Sequence, residues 1–352
     1  MQHNLVFKVL DVLSDGKFHS GESIAKTFDI SRVSIWNAIK KAEEFGVEIY
    51  SVRGRGYKLI QPIMLLKKPS IEQVMGEIHH WFNLEIFDVM DSTNSYLMEK
   101  ASLGHPHASV AATHIQTKGR GRRGRSWQSA LGESLTFSLL WRFNGGAATL
   151  SGLSLAVGVA IIRSLHRFGV LSAQLKWPND VLVQDGPQYK KLAGILIELQ
   201  GDMEGQSTAV IGIGINLKLS KKSLNQIDQP AIDLNSVSVD DIDPNLLLGQ
   251  ILKDLADVLG QFNTSKFASL KEEWMSYHVY QHQIVTLSLG DGRSVTGLAQ
   301  GVTDDGALMI ETPSSDLLFF LRSSSMKAET LKSVLASCIK TRFVANPASP
   351  AP

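Results

Sequence analysis

Eight residues, Lys118-Gly119-Arg120-Gly121-Arg122-Arg123-Gly124-Arg125, carry five positive charges and three glycines with no acid among them. No helix or strand holds such a run in its interior. Glycine's backbone entropy opposes both elements, and two like charges ~4 Å apart repel by about 4 kcal/mol at an effective dielectric near 20. Strand-like stretches flank it, Ala108 to Ile115 and Ser134 to Trp141, so the run is expected to be a surface loop between two strands. Glycines let backbone N–H groups close on a bound oxygen, and arginines supply forked donors matched to phosphate and carboxylate. Five such charges need a partner to order. By spacing alone the loop fits a nucleotide site, a nucleic-acid-binding loop or a solvated loop. It lacks the interleaved aromatics that single-strand binding favours.

Composition narrows the choice. Formal net charge is +1 over 352 residues, so any attraction to phosphate is local. The length predicts two or three domains. Cys338 is the one cysteine and has no internal disulfide partner, which fits a reducing cytoplasm. The opening MQHNLVFKVLDVLSDG spreads charge through a short amphipathic segment, unlike a signal peptide. The most apolar window, Ala147 to Ile162, is interrupted by Thr149, Ser151 and Ser154 and is too short for a bilayer. A cytoplasmic protein without a membrane span is expected. His79-His80 and His105-Pro106-His107 lack metal-cage spacing. Gly212-Ile213-Gly214 lacks the continuation of a dinucleotide fingerprint, which argues against hydride transfer.

The first sixty residues read as three helices and a hairpin. Helical periodicity runs from Leu5 to Leu13, Ser20 caps a second helix to about Phe28, and Ser31 caps a third that stops at Gly46. On the third, Ile35, Ala38, Ile39 and Ala42 share one face, while Val33, Asn37 and Lys40 point the other way and Trp36 flanks them. Two short strands follow around Arg53-Gly54-Arg55-Gly56, and Ile49 to Ile71 holds five Lys or Arg and no acid. This pattern resembles a winged helix-turn-helix. That geometry would bring Ser31, Arg32, Ser34, Trp36, Asn37 and Lys40 near bases or phosphates, with Arg53 and Arg55 of the wing on the backbone. A packing module with solvated charges is the alternative. Pro62 to Pro69 reads as a linker.

Two more segments, Lys176-Trp177-Pro178-Asn179-Asp180-Val181-Leu182-Val183 and Lys191-Leu192-Ala193-Gly194-Ile195-Leu196-Ile197-Glu198, read as antiparallel strands joined by a turn region. Each opens on a lysine that packing does not explain. Together with Asp91-Ser92-Thr93-Asn94-Ser95, the glycine-arginine loop and Ile211 to Leu217, they resemble the biotin-protein ligases. With the winged helix included, the resemblance is to the bacterial ligases that also act as biotin operon repressors, and it covers about residues 1 to 335.

The resemblance implies an α+β chain. A winged helix-turn-helix occupies 1–62 and a linker 63–69. A mixed-sheet ligase domain of the biotin/lipoate ligase type spans 70–275, an SH3-like β-barrel 276–335 and a tail 336–352. Asn245 to Leu259 reads as an amphipathic helix, and turns at Gly290-Asp291-Gly292 and Asp304-Asp305-Gly306 punctuate the barrel. The implied reaction makes biotinyl-5'-AMP from biotin and ATP with Mg2+ on the phosphates, then biotinylates a lysine of the biotin carboxyl carrier protein of acetyl-CoA carboxylase. Arg122 and Lys191 would hold biotin's carboxylate against the α-phosphate. Lys176 would bind phosphate, and Asp180 would steer or deprotonate the acceptor lysine, or cap the turn at Pro178-Asn179. Ser92, Thr93, Asn94 and Gln116, with backbone at Arg120, Gly121 and Arg122, would meet the ureido ring. Gly194 and Gly212 would leave room for the ligand. Arg120, Arg122, Arg123, Gly214, Asn216 and Arg322 map to the ATP and adenylate side, where Arg120, Arg123 and Arg125 would order the loop or neutralise the leaving pyrophosphate, with no protein metal site. Trp127 is expected to pack in the core beside the loop rather than stack on ligand. Between Lys190 and Lys191, adjacency to Leu192-Ala193-Gly194 favours Lys191. Operator DNA and an adenylate-bound homodimer complete the implied partners. A DNA-binding sensor without ligase activity and a lipoate-type ligase are the alternatives.

Overall fold

The computed structural model describes residues 2–201, 205–289, 293–320 and 343–345. Helices α1 (Gln2–Leu13), α2 (Gly21–Thr27) and α3 (Arg32–Glu44) precede the hairpin β1 (Ile49–Val52) and β2 (Gly56–Leu59). Ser20 and Ser31 are the N-caps, accepting from the Ser23 and Ser34 amides; each such cap stabilises a helix by about 1 kcal/mol. The expected face of α3 is buried, Ile35, Ala38, Ile39 and Ala42. Gly56 has a φ of +99°, and a Cβ there would overlap the His19 carbonyl oxygen. Only glycine lets His19 and Tyr57 exchange backbone hydrogen bonds at 2.9 and 2.8 Å, which stitch the wing to the segment before α2.

Next come α4 (Lys68–Met75), β3 (Asn83–Met90), α5 (Thr93–Ser102), β4 (Ser109–Gln116), β5 (Ser134–Phe143), α6 (Leu153–Arg167), β6 (Ala173–Lys176), β7 (Asp180–Asp185), β8 (Gln188–Gly201) and β9 (Ser207–Asn216). They are followed by α7 (Lys221–Gln226), α8 (Leu234–Val237), α9 (Pro244–Ser265), α10 (Lys271–Ser276), β10 (Ile284–Ser288), β11 (Ser294–Val302), β12 (Leu308–Glu311), β13 (Leu317–Phe320) and β14 (Phe343–Ala345). Two compact units emerge: residues up to Leu140 with Ile211–Gln250, and Trp141–Val210 with the chain from Ile251 onward.

In the first unit, strands run in the order β3-β4-β5-β9. β3 and β4 are parallel with α5 as their connection, and β4 pairs β5 antiparallel, so the sheet is mixed. β4 is buried from Ser109 to Ile115. A strand covered on both faces reads as a continuous apolar run, as Val110-Ala111-Ala112 does. The winged-helix core (Val6, Leu10, Leu13, Ile35, Ile39, Leu59) continues into Leu65, Ile115 and Leu131. The stretch expected as a linker is therefore pinned: Leu65 is buried, the Lys67 amide donates to Asn245 Oδ1 at 2.6 Å, and Asn245 Nδ2 donates to the Leu65 carbonyl. Its last residues already belong to α4.

His114 on β4 stacks on Phe7 of α1, with ring centroids 5.1 Å apart. Burial pulls its imidazole down to about 4, and burial does the same to His278 in the second unit, also to about 4. Below pH about 6.5 the unfolded chain takes up a proton at each site that the folded chain refuses. Stability is thus full above pH about 6.5 and falls toward pH about 4, by roughly 1.4 kcal/mol per pH unit per histidine. Thermal melts at about pH 7.5 and 5 check this. His114→Gln is expected to shrink the decline, and an unchanged slope would exclude a buried neutral imidazole.

In the second unit, β8-β7-β6 is antiparallel. Leu175 on β6 exchanges backbone hydrogen bonds with Tyr277 and Val279 at 2.8 and 2.9 Å. Among the described residues, Ala147–Arg167 is the one stretch long and apolar enough to cross a membrane, but most of it is buried here as the core helix α6. Arg163 fixes α6 to its neighbours through Glu273 and Asp257, at 2.7 and 2.8 Å. The C-terminal β unit is antiparallel in the order β13-β12-β11-β10-β14, with a bulge between Ala299 and Gly301. Of the two expected turns, Asp304-Asp305-Gly306 joins β11 to β12, and Gly290-Asp291-Gly292 lies outside the described residues, as do Cys338 and most of the tail.

Candidate active site and nucleic-acid interface

The first unit gathers the residues expected around a ureido ring. Ser92 is the N-cap of α5, which starts at the end of β3, so Thr93 and Asn94 open the helix beside β4. All three are buried. The Thr93 amide donates to Gln116 Oε1 at 2.8 Å, and the Gln116 amide donates to Ser129 Oγ. Ser138 Oγ lies 2.7 Å from Thr93 Oγ1 and 2.6 Å from Asn94 Oδ1. Asn94 Oδ1 can only accept, so the Ser138 proton goes there, and the Thr93 proton is directed to Ser138 or Gln116. Sequence reasoning missed Ser138, which is fully buried; a serine set between Phe137 and Leu139 in a strand-like run was its only signal.

Gly212 is not simply room for a ligand. A Cβ there would overlap Asn94 Oδ1, so the space it leaves is filled by the asparagine. Gly214 likewise accommodates the Trp127 indole, whose Nε1 donates to Ser134 Oγ at 3.0 Å; Trp127 packs on the strand as expected but is only partly buried, at the edge of the core rather than in it. Asn216 is buried, and its Nδ2 donates to the Ile232 carbonyl at 2.9 Å.

The basic run is a loop between β4 and β5, as expected, but its own backbone shapes it. Gly121 N–H donates to Arg125 O at 2.8 Å and Trp127 N–H to Gly119 O at 2.9 Å, while Arg122–Gly124 forms a short 3-10 turn in which Arg123 has a φ of 61°. The loop is anchored at Asp91, which takes hydrogen bonds from Thr117 Oγ1 at 2.5 Å and Lys118 Nζ at 2.8 Å. The Lys118 contact, then Thr117, holds the Asp91 carboxyl below its usual range. Arg123 is pulled below the ordinary guanidinium value, first by desolvation and then by the charge of Arg125, and it remains a cation. Arg125 approaches Asp228 at 3.9 Å.

The second unit holds the remaining expected residues. The stretch from Lys176 to Val183 is not one strand. Lys176 ends β6, a cis Trp177-Pro178 peptide makes the turn, and Asp180 begins β7. Buried Trp177 donates to the Gly306 carbonyl at 3.0 Å, the Pro178 carbonyl accepts from Ser154 Oγ at 2.9 Å, and Asn179 Nδ2 donates to the Ile195 carbonyl at 2.9 Å. Trp177, Pro178 and Asn179 thus hold the turn and leave Lys176 and Asp180 as its charged ends. β8 begins at Gln188, so the expected turn region is a hairpin extension, with Gln184 opposite Tyr189 and Asp185 opposite Gln188.

That register separates the two lysines. Lys190 pairs with Asp185 near the hairpin tip at 2.5 Å, with side chains 32% and 53% exposed. Lys191 pairs with Asp180 at 2.7 Å, with side chains 16% and 18% exposed. A bulge between Val181 and Leu182 sets Lys191 opposite Leu182 and Gly194 opposite Asp180. The Asp180 carboxylate meets a lysine rather than capping the turn. Arg322 lies outside the described residues.

On the winged helix, Arg32, Trp36, Asn37, Lys40, Arg53 and Arg55 are exposed. Ser31 and Ser34 are tied to each other, 2.9 Å between hydroxyls, and to the cap of α3. Lys40 reaches Glu43 at 2.8 Å. The Arg55 guanidinium stacks on Phe18 at 4.5 Å, which orders the wing cation. Among the described residues no three His, Cys, Asp or Glu side chains cluster as a metal site.

Residues 86–216 match the biotin/lipoate A/B protein ligase family, 6–58 an HTH domain and 283–332 the biotin protein ligase C-terminal domain. The chain is 34% identical over 313 residues to the bifunctional ligase/repressor BirA of Escherichia coli K12, covering 88% of this chain and 94% of that one. It is 30% identical over 246 residues to the biotin-[acetyl-CoA-carboxylase] ligase of Mycobacterium tuberculosis, covering 68% of this chain and 87% of that one. The biotin protein ligase of Aquifex aeolicus in complex with biotin and ATP is similar in structure, with a TM-score of 0.57 and 31% identity over 69% of this chain and 99% of that chain. The likeness to BirA runs through the helix-turn-helix, the ligase sheet and the C-terminal strands alike, and the chain belongs to the biotin protein ligase family, in its bifunctional ligase/repressor form.

Proposed function

We infer that the chain activates biotin with ATP, transfers it to a lysine of a biotin carboxyl carrier protein, and represses transcription by binding operator DNA. The observation that carries the ligase reading is the largely buried Lys191–Asp180 pair, 2.7 Å apart and next to buried Val181, Leu192 and Ala193. Desolvating two charges is costly, and a shielded pair beside a turn whose own residues are otherwise satisfied supports a functional role.

In the first step a biotin carboxylate oxygen bonds to the α-phosphorus of ATP as the bond to pyrophosphate breaks. In the second the carrier lysine's amine attacks the acyl carbon, AMP leaves, and the amine loses a proton. Both steps concentrate negative charge, so fixed cations and N–H donors suit them better than a protein nucleophile. Ser92, Thr93, Asn94 and Gln116, positioned by Ser138, are assigned to the ureido ring with the backbone of Arg120, Gly121 and Arg122. Arg122 and Lys191 are assigned to the reacting carboxylate and phosphate, Lys176 and Arg123 to phosphate, and Asp180 to the acceptor lysine. Gly194 is assigned to making room for biotin, and Gly214 and Asn216 to the adenylate side. Mg2+, carried on the ATP oxygens, would offset phosphate charge, which fits a loop that brings cations but no carboxylates.

The test is incubation with apo carrier domain, Mg-ATP and labelled biotin or lipoate. Biotin label alone on the carrier is expected. Lipoate label would make this a lipoate-type ligase, and no label would leave a DNA-binding sensor. For the repressor half, Arg53→Ala and Arg55→Ala are each expected to lower the slope of log affinity against log salt by about 1 without changing biotin transfer. Two winged helices on a two-fold operator imply a homodimer of the adenylate-bound chain; sedimentation that is unchanged by adenylate would remove that assignment. Residence in the reducing, ATP-supplied cytoplasm follows from the same reading.

A further inference from the structure

On α3, two large apolar side chains occupy the solvent face. Val33 is 67% exposed and Trp36 is 52% exposed. At i and i+3 they are neighbours on one face, flanked by exposed Arg32, Asn37 and Lys40. The fold does not need them, because its core takes Ile35, Ala38, Ile39 and Ala42 from the opposite side of the helix. Ser31 and Ser34 share one hydroxyl hydrogen bond and Ser31 caps the helix, so both are positioned at its start beside this pair. The wing adds Arg55 and Lys58, both over the Phe18 ring at 4.5 and 5.9 Å, and exposed Arg53.

An apolar pair rimmed by cations suits a polyanion that presents methyl groups. The DNA major groove does so at the C5 of thymine, which apolar side chains distinguish from the other base edges. The first turns of a recognition helix are the part that reaches base edges, and Val33 and Trp36 lie there. We propose that Val33 and Trp36 contact thymine C5-methyl groups in the operator half-site and so set the positions at which T·A pairs are required. Asn37, beside them, faces base-edge donors and acceptors. This rests on the DNA-binding reading above.

The probe is a duplex selected from a randomised pool by the full chain with biotin, ATP and Mg2+. Uracil then replaces thymine one position at a time, which removes only the methyl. Binding is expected to weaken about three- to five-fold at one or two positions per half-site. Val33→Ala is expected to cancel the penalty at one of them and Trp36→Ala at a neighbouring one, with the salt dependence of both variants unchanged. Both side chains are exposed, and a thermal melt verifies that the variants stay folded. Equal binding of all uracil duplexes by the unaltered chain overturns the proposal while leaving DNA binding intact. Variants that keep DNA affinity but change the oligomeric state assign the pair to a protein contact, which also overturns it. If no duplex is enriched, the DNA-binding reading fails and this proposal fails with it.

Discussion

Lys191→Ala is expected to lower kcat/KM for biotinyl-adenylate formation by about 10²- to 10³-fold, the usual effect of removing one preorganised electrostatic group. Lys190→Ala is expected to stay within a few-fold. Biotin-dependent pyrophosphate release at saturating ATP measures both. Equal effects would end the assignment, because the two lysines are adjacent in sequence and equal in formal charge. Their difference lies in surroundings: Lys191 and its partner Asp180 are 16% and 18% exposed, against 32% and 53% for Lys190 and Asp185. A charge shielded from water acts at lower effective dielectric and so counts for more. Lys191→Ala also strands Asp180, so part of its effect is structural. The double variant with Asp180→Asn removes the stranded charge. It should recover thermal stability and leave adenylation slow.

Gly212→Ala is expected to raise the KM for biotin at least about ten-fold and to destabilise the chain by about 1–3 kcal/mol, the usual result of inserting a methyl into a packed site. The added carbon would overlap Asn94 Oδ1, and Asn94 cannot withdraw without losing its 2.6 Å contact to Ser138. Ser138 also supports Thr93, which holds Gln116, so the disturbance spreads through the polar cluster. Combining Gly212→Ala with Asn94→Ala should relieve the overlap and restore stability while biotin binding stays weak. Recovered biotin binding in that double variant would mean that Asn94 does not meet the substrate. Isothermal titration with biotin, alongside thermal melts, separates the outcomes.

Much of the architecture was legible because local rules act locally. The Ser20 and Ser31 caps, the buried face of α3 and the basic hairpin follow from residues within a few positions of one another. The glycine-arginine run had to be a loop, and it is one. The stretch from Lys176 to Val183 misled a strand reading because Pro178 turns the chain between Lys176 and Asp180, and the apolar residues on either side belong to different strands. Pro62 to Pro69 looked like a linker by composition. What pins it is Asn245, a residue nearly two hundred positions away.

By itself the sequence determined the order of the parts and the kind of chemistry. It carried a cationic glycine loop for anions, paired lysine-bearing segments, and a capped helix with a basic wing. Only the tertiary structure decided which of two adjacent lysines meets Asp180, that Gly212 and Gly214 make space for Asn94 and Trp127, and that Ser138 joins Thr93 to Asn94. The lysine pairing depends on strand register and on one bulge between Val181 and Leu182, and the other contacts join a helix start and a loop residue to strands distant in sequence. A shift of one residue exchanges the faces of a strand, and the bulge that makes this shift between Lys191 and Ala193 carries no glycine or other local mark in Val181-Leu182.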